Sequence, residues 1–162
     1  VAAGRDRMDW RVHAPSTCVR VPAAVIAIVV PFRPQKEQDR EAQLRAFLAH
    51  MSTFLAAAAA NGGGTAAPPV QFLVVVAQQS NDGRKFNRGQ LLNAGYREAV
   101  ELARPATLGA VIFHDCDLLP PPQLRPWYAT LPRRGRPVHL AAGATWPKYA
   151  FDGYDFFGGV TA

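Results

Sequence analysis

Three short, nearly continuous apolar runs punctuate the chain, and helical patterns fill the gaps between them. The runs are Val25-Ile26-Ala27-Ile28-Val29-Val30, Gln71-Phe72-Leu73-Val74-Val75-Val76-Ala77 and Gly109-Ala110-Val111-Ile112-Phe113. Short β-branched runs of this kind read as strands buried on both faces. Pro31, which has no N–H to give a ladder, is expected to stop the first of them. Between the first two runs, Leu44, Phe47, Leu48, Met51, Phe54 and Leu55 recur at spacings of three and four, which makes one apolar helix face. Glu37, Asp39, Arg40, Glu41 and Arg45 fall at the start and on the outer side of that helix, and the alanines from Ala56 to Ala60 form its end. Between the second and third runs, Leu91, Leu92, Gly95, Tyr96, Ala99 and Leu102 mark a second amphipathic helix. Strand–helix–strand–helix–strand with such strands predicts an α/β domain built on a parallel sheet with right-handed crossovers.

The remaining segments are less regular. Residues 1–20 are polar and mixed and read as an arm or linker, which leaves 21–162 as the domain. Asn61-Gly62-Gly63-Gly64 with Pro68-Pro69 is a flexible connection, and 78–85 is a polar loop. After Pro120-Pro121-Pro122 the pattern weakens. Val138-His139-Leu140-Ala141-Ala142 is a candidate fourth strand, the stretch from Trp146 to Phe157 is aromatic and loop-like, and 157–162 has the look of another strand opening. With no initiating methionine and no closing element after Ala162, the sequence reads as part of a longer protein.

Candidate chemistry sits where the three strands end. In an open α/β sheet, ligands bind at the carboxyl ends of the strands. The third run leads into His114-Asp115-Cys116-Asp117, and carboxylates do not belong in a core, so the chain leaves the sheet at Asp115. Asp115 and Asp117 lie two apart and point the same way in an extended chain. Two hard oxygen ligands suit Mg²⁺ or Mn²⁺, and through the metal a diphosphate. Taken alone, the pair reads more readily as a polar loop that caps the next segment. After the first strand, Arg33 offers a fork of donors to a phosphate or carboxylate, or is a plain surface arginine. After the second, Asn87 is a good N-cap and Arg88 stands near a helix N-terminus, where anions are favoured. His114 at a strand end suits backbone satisfaction better than ligation, and Cys116 between the aspartates suits packing better than reactivity. Trp146, Tyr149, Phe151, Tyr154 and Phe156 are either a sugar-stacking platform or a cover for a sheet edge.

Composition narrows the field only slightly. The 162 residues are 49% hydrophobic, enough for one real core, and carry a formal charge of +6, mostly on arginine. The basic residues are scattered apart from Arg133-Arg134-Gly135-Arg136, and no stacking-aromatic RNA motif accompanies them, so nucleic acid is not the expected partner. Two cysteines, Cys18 and Cys116, give neither a disulfide framework nor a zinc spacing, though one bridge between them is conceivable. No run reaches the length of a membrane span.

Four segments then occur in one order: Val29-Val30-Pro31-Phe32-Arg33; Phe86-Asn87-Arg88-Gly89-Gln90-Leu91-Leu92-Asn93-Ala94-Gly95-Tyr96; His114-Asp115-Cys116-Asp117-Leu118-Leu119-Pro120; and Phe156-Phe157-Gly158-Gly159-Val160. Together, over about residues 18–162, the chain resembles the β-1,4-galactosyltransferase family, glycosyltransferase family 7. The third segment is worded most like the xylosylprotein-directed branch, the fourth like the N-acetylglucosamine-directed branch.

The resemblance implies a Rossmann-like glycosyltransferase A sheet that binds a nucleotide sugar. It assigns Pro31, Phe32 and Arg33 to the uridine diphosphate site, Phe86 and Arg88 to nucleotide contacts, Asp115 to the donor sugar or ribose side, and Asp117 to Mn²⁺. Gly158 and Gly159 would admit the donor galactose close to the backbone, and Lys148 would stand near the diphosphate, although its spacing to Phe156 departs from the pattern. Cys18 stands about where the family has a disulfide cysteine, without the usual upstream partner. The implied activity is metal-dependent, inverting transfer of galactose from UDP-galactose to a sugar hydroxyl of a glycan or glycoprotein, on the lumenal side of the Golgi membrane. The family's acidic Trp-Gly-Trp-Gly-Gly-Glu-Asp-Asp segment, which supplies the base and acceptor floor, is absent from these residues, so donor binding without turnover is expected of them. The rivals are transfer of N-acetylgalactosamine and a binding homologue without turnover.

Overall fold

A computed structural model of the chain describes residues 24–61, 70–141, 150–151, 154–155 and 160–162. Strand β1 (Ala24–Phe32) leads through a 3₁₀ turn (Lys36–Gln38) into helix α1 (Arg40–Asn61). Strand β2 (Val70–Gln78), helix α2 (Arg88–Ala103) and strand β3 (Leu108–His114) follow. A second 3₁₀ turn (Pro122–Leu124) runs into the single-turn helix α3 (Arg125–Tyr128). Short strands β4 (Ala150–Phe151), β5 (Tyr154–Asp155) and β6 (Val160–Thr161) come last. The main sheet has the order β2-β1-β3-β6, parallel across its first three strands and antiparallel at β6. Among the described residues, no helix is long and apolar enough to cross a membrane.

Strand order fixes where the helices go. From β1 the chain steps to β2 on one side, then returns past β1 to β3 on the other. Right-handed crossovers in opposite directions put their helices on opposite faces, and the core divides accordingly. Ile26, Ile28, Val30 and Phe32 pack with Phe47, Met51 and Phe54 of α1 and Tyr128 of α3. Ala27 and Val29, which alternate with them, pack with Ala99 of α2. Every residue of β1 is buried.

Four expectations are corrected. β2 and β3 are half-buried rather than dry on both faces. β2 stands at the edge of the sheet, and β3 is flanked on one side only by the two-residue β6. Pro31 does not end β1, because Pro31 pairs with Ala77 and Phe32 with Gln78. The Phe32 carbonyl accepts from Gln79 N–H on the β2 side at 2.8 Å, so Pro31 turns its nitrogen toward β3. The pairing with β3 has already ended there at Val29–Phe113, and no ladder bond is lost. Val138 to Ala141 do not supply the fourth strand, which is β6 instead, and Ala142 lies outside the described residues. Val138 and Leu140 only line its outer edge, through mutual Val138–Ala162 bonds of 2.7 and 2.9 Å and one from Leu140 N–H to Val160 O at 3.0 Å. Within the supposed aromatic loop, β4 and β5 pair antiparallel.

Candidate functional site

The chain changes direction in the sheet between β1 and β3, and such a switch point opens a crevice at the carboxyl ends of the two strands. A cleft of about 250 Å³ lies there, with Arg33, Arg40, Phe86, Arg88, Asp115 and Asp117 among its lining residues. Pro31 and Phe32 also border it, but both are buried in the end of β1, with Phe32 in the core on the α1 face.

The loop from β2 to α2 is held by specific bonds. Gln79 uses both ends of its amide: Nε2 donates to Lys85 O at 3.1 Å, and Oε1 accepts from Asn87 N–H at 2.9 Å. Asn87 caps α2 as its side chain predicts, with Oδ1 accepting from Gln90 N–H at 3.0 Å. Replacing Asn87 with alanine is expected to cost about 1 kcal/mol, read as a lower urea midpoint at unchanged slope. Arg33 reaches over from β1, donates from Nη1 to Arg84 O at 2.8 Å, and holds its guanidinium 5.8 Å from the centre of the Phe86 ring. Phe86 itself is 42% exposed. A large apolar ring left open beside two arginines offers a flat surface for stacking a planar group.

On the β3 side, Arg88 donates from both Nε and Nη2 to Asp115 Oδ1, each at 3.1 Å. Burial pushes the Asp115 carboxyl above its ordinary range, and the charge and hydrogen bonds of Arg88 partly pull it back. Asp117 is exposed and makes no hydrogen bond or salt bridge with the described residues. Cys116 is a free thiol, buried between the two aspartates, and burial pushes its pKa up, which suits packing over reactivity. Cys18 lies outside the described residues.

His114 is fully buried, with Nδ1 2.9 Å from Asp115 O and Nε2 2.7 Å from the Tyr128 hydroxyl. It is a satisfied interior histidine, and burial lowers its pKa from 6.5 to about 4.

Two lining residues, Gln35 and Arg40, are absent from the residues expected at the site. Arg40 falls in the polar group expected at the start and outer side of α1, and as the first residue of that helix it points into the cleft, with Nη1 3.9 Å from Cys116 Sγ and Nε 2.9 Å from Gln38 Oε1. The available signal was positional. A helix that begins a few residues after a strand's carboxyl end has its first turn beside the crevice. Lys148, Gly158 and Gly159 lie outside the described residues, as do Trp146, Tyr149 and Phe156. Val160, the residue after Gly159, pairs with His114 at the end of β3.

The donor set fits a hard divalent cation in one respect. Asp117 presents an unengaged carboxylate to the cleft, with a second carboxylate two residues away. Among the described residues no group of three or more His, Cys, Asp and Glu forms.

A model for the N-terminal region of glycosyl transferase group 7 matches residues 8–128. Human β-1,4-galactosyltransferase 4 is 33% identical over 137 residues, which cover 85% of this chain and 33% of that protein. Bovine (Bos taurus) β-1,4-galactosyltransferase 3 is 33% identical over 150 residues, 93% of this chain and 32% of that protein. This chain therefore spans about a third of the length of these relatives. Among solved structures, a mutant of Drosophila β-1,4-galactosyltransferase 7, in complex with manganese, UDP-Gal and xylobiose, superposes with a TM-score of 0.61. It is 31% identical, over 85% of this chain and 48% of that one. The α/β architecture of the glycosyltransferase A type is thus common to both. The family match covers both β1 and β3 and the cleft between them, and on that ground the chain belongs to the glycosyl transferase group 7 family, of which it carries the N-terminal region.

Proposed function

We propose that the cleft is the donor site of a metal-dependent galactosyltransferase and binds UDP-galactose through its nucleotide and diphosphate. The observation that carries this reading is the convergence, at one switch point, of three arginines, an open phenylalanine ring and two carboxylates. An excess of guanidinium groups suits the diphosphate, Phe86 suits the uracil ring, and a carboxylate that already faces the cleft suits a cation shared with that diphosphate. The galactosyltransferase complex with manganese and UDP-Gal supports the same assignment.

In this reading Arg33 and Phe86 hold the nucleotide, Arg88 and Arg40 meet the phosphates, and Asp117 holds Mn²⁺. A divalent cation there would neutralise charge developing on the leaving diphosphate. Asp115 keeps Arg88 oriented and faces the ribose or donor sugar. Lys148, Gly158 and Gly159 complete the donor side by family resemblance. The acceptor is a sugar hydroxyl, and the base that takes its proton belongs to the acidic segment found further along the family's sequence. The Golgi lumen, as the family's compartment, is part of the proposal.

Calorimetric titration of UDP with and without Mn²⁺ tests the site. In the wild type, Mn²⁺ is expected to raise UDP affinity, and Asp117→Ala is expected to remove that gain while metal-free affinity changes by less than about threefold. A metal-dependent gain that survives Asp117→Ala would refute the assignment.

A further inference from the structure

We infer that Tyr128 and His114 form a positioning pair that sets the turn carrying Asp117; the inference rests on the nucleotide–metal reading of the cleft. The hydrogen bonds leave one proton arrangement. A carbonyl oxygen only accepts, so His114 Nδ1 carries the proton it gives to Asp115 O at 2.9 Å. Nε2 of the neutral ring then accepts, and the Tyr128 hydroxyl donates to it at 2.7 Å. The same Asp115 carbonyl takes a second bond, from Leu118 N–H at 3.2 Å. That bond closes a four-residue turn, Asp115 to Leu118, with Asp117 in third place.

A continuous line therefore runs from the interior hydroxyl on α3, through the imidazole, to the oxygen on which the turn pivots. The ring has no room to choose other partners. Phe47 lies 4.9 Å from His114 between ring centres, and Phe54 packs edge-on to Tyr128 at 5.0 Å. Beyond the turn, His50 Nε2 donates to Pro120 O at 2.9 Å, so α1 fixes the exit as the pair fixes the entrance. An apolar side chain would fill this space without the desolvation cost of two ring nitrogens and a phenol. What the polar pair adds is a fixed direction for the Asp115 carbonyl. Neither residue touches the cleft, so both act through the turn.

The test uses the 162-residue chain with His114→Gln, His114→Asn and Tyr128→Phe. The asparagine amide nitrogen can stand where Nδ1 stood and still donate to Asp115 O, whereas glutamine's cannot. Amide hydrogen exchange is followed without ligand, and UDP affinity is measured with and without Mn²⁺. Exchange at Leu118 is expected to rise about tenfold or more in His114→Gln, less in Tyr128→Phe and least in His114→Asn, with the amides of β1 unchanged. The Mn²⁺-dependent gain in UDP affinity is expected to fall about tenfold in His114→Gln and to recover in His114→Asn, with metal-free affinity within about twofold throughout. Unchanged exchange at Leu118, loosening that spreads evenly through β1, or asparagine behaving like glutamine would each overturn the inference. Tyr128→Phe, which removes one oxygen and keeps the ring, decides the matter if His114→Gln does not fold. A wild type without any Mn²⁺ gain would instead overturn the reading of the cleft, while exchange at Leu118 would still decide for or against the pair.

Discussion

Gly95→Leu is expected to destabilise the domain by about 3 kcal/mol or more, the extreme of what overpacking does in a filled core. Gly95 is buried on the face of α2 that lies against β1. A Cβ built there collides with Val29 Cγ1 and stands 3.4 Å from Ala77 Cβ. Val29 has no freedom to yield, because it is β-branched, fully buried and in the central strand. Even alanine, which should gain about 1 kcal/mol of helix propensity over glycine, is expected to come out net destabilising. Leucine would lift α2 off the sheet and loosen the N-terminal turn that carries Arg88. Urea unfolding of both variants measures this. An alanine variant as stable as wild type would show that α2 rests on β1 with room to spare.

Acid is expected to cost nearly as much, through one side chain. In the folded chain burial holds His114 neutral until its pKa of about 4, whereas the unfolded value is 6.5. Between these values the unfolded state takes up a proton that the folded state refuses, so stability falls as pH drops through that window and levels off below it. The full effect is about 3 kcal/mol. Asp117 favours the charged ring and His50 opposes it, while the Asp115 carbonyl favours it as a hydrogen-bond acceptor. The hydroxyl of Tyr128, itself kept protonated by burial, offers the ring no charge. Asp115 works in the opposite sense. Its raised folded pKa means that the folded state binds its proton first, which adds stability as pH falls. Urea midpoints from pH 7 to pH 4 should therefore decline, and the decline should flatten in His114→Asn. An equal slope in that variant would assign the acid sensitivity elsewhere.

The chain's alternation of apolar runs and helical spacings was enough to read the parallel sheet, both long helices and the placing of three strand ends at one edge. Periodicity reports burial, and these elements are where burial is most complete. It failed where burial is partial or an element is short. β6 is two residues long, too short for any period, and Val138 to Ala142 looked more like a strand because they are more apolar. The pairing of β4 with β5 had a local signal, since Asp152-Gly153 is a dipeptide typical of two-residue hairpin connections. Asp115, Asp117, Arg33 and Arg88 were legible because polar groups directly after buried strands are conspicuous. Arg40 was not, because its place in the cleft follows from how α1 leaves β1, and sequence spacing alone does not show that.

The order of strands also bears on how the chain is made. Ribosomal synthesis delivers β1, α1 and β2 as a unit that can pair at once, but the other edge of β1 waits for β3. Until residue 108 and its successors emerge, the most apolar strand of the domain presents a naked row of N–H and C=O groups along its β3 side. An apolar edge of that kind is a template for pairing with another nascent chain. The interval between β1 and β3 is thus when an unfinished chain is most open to pairing with its neighbours.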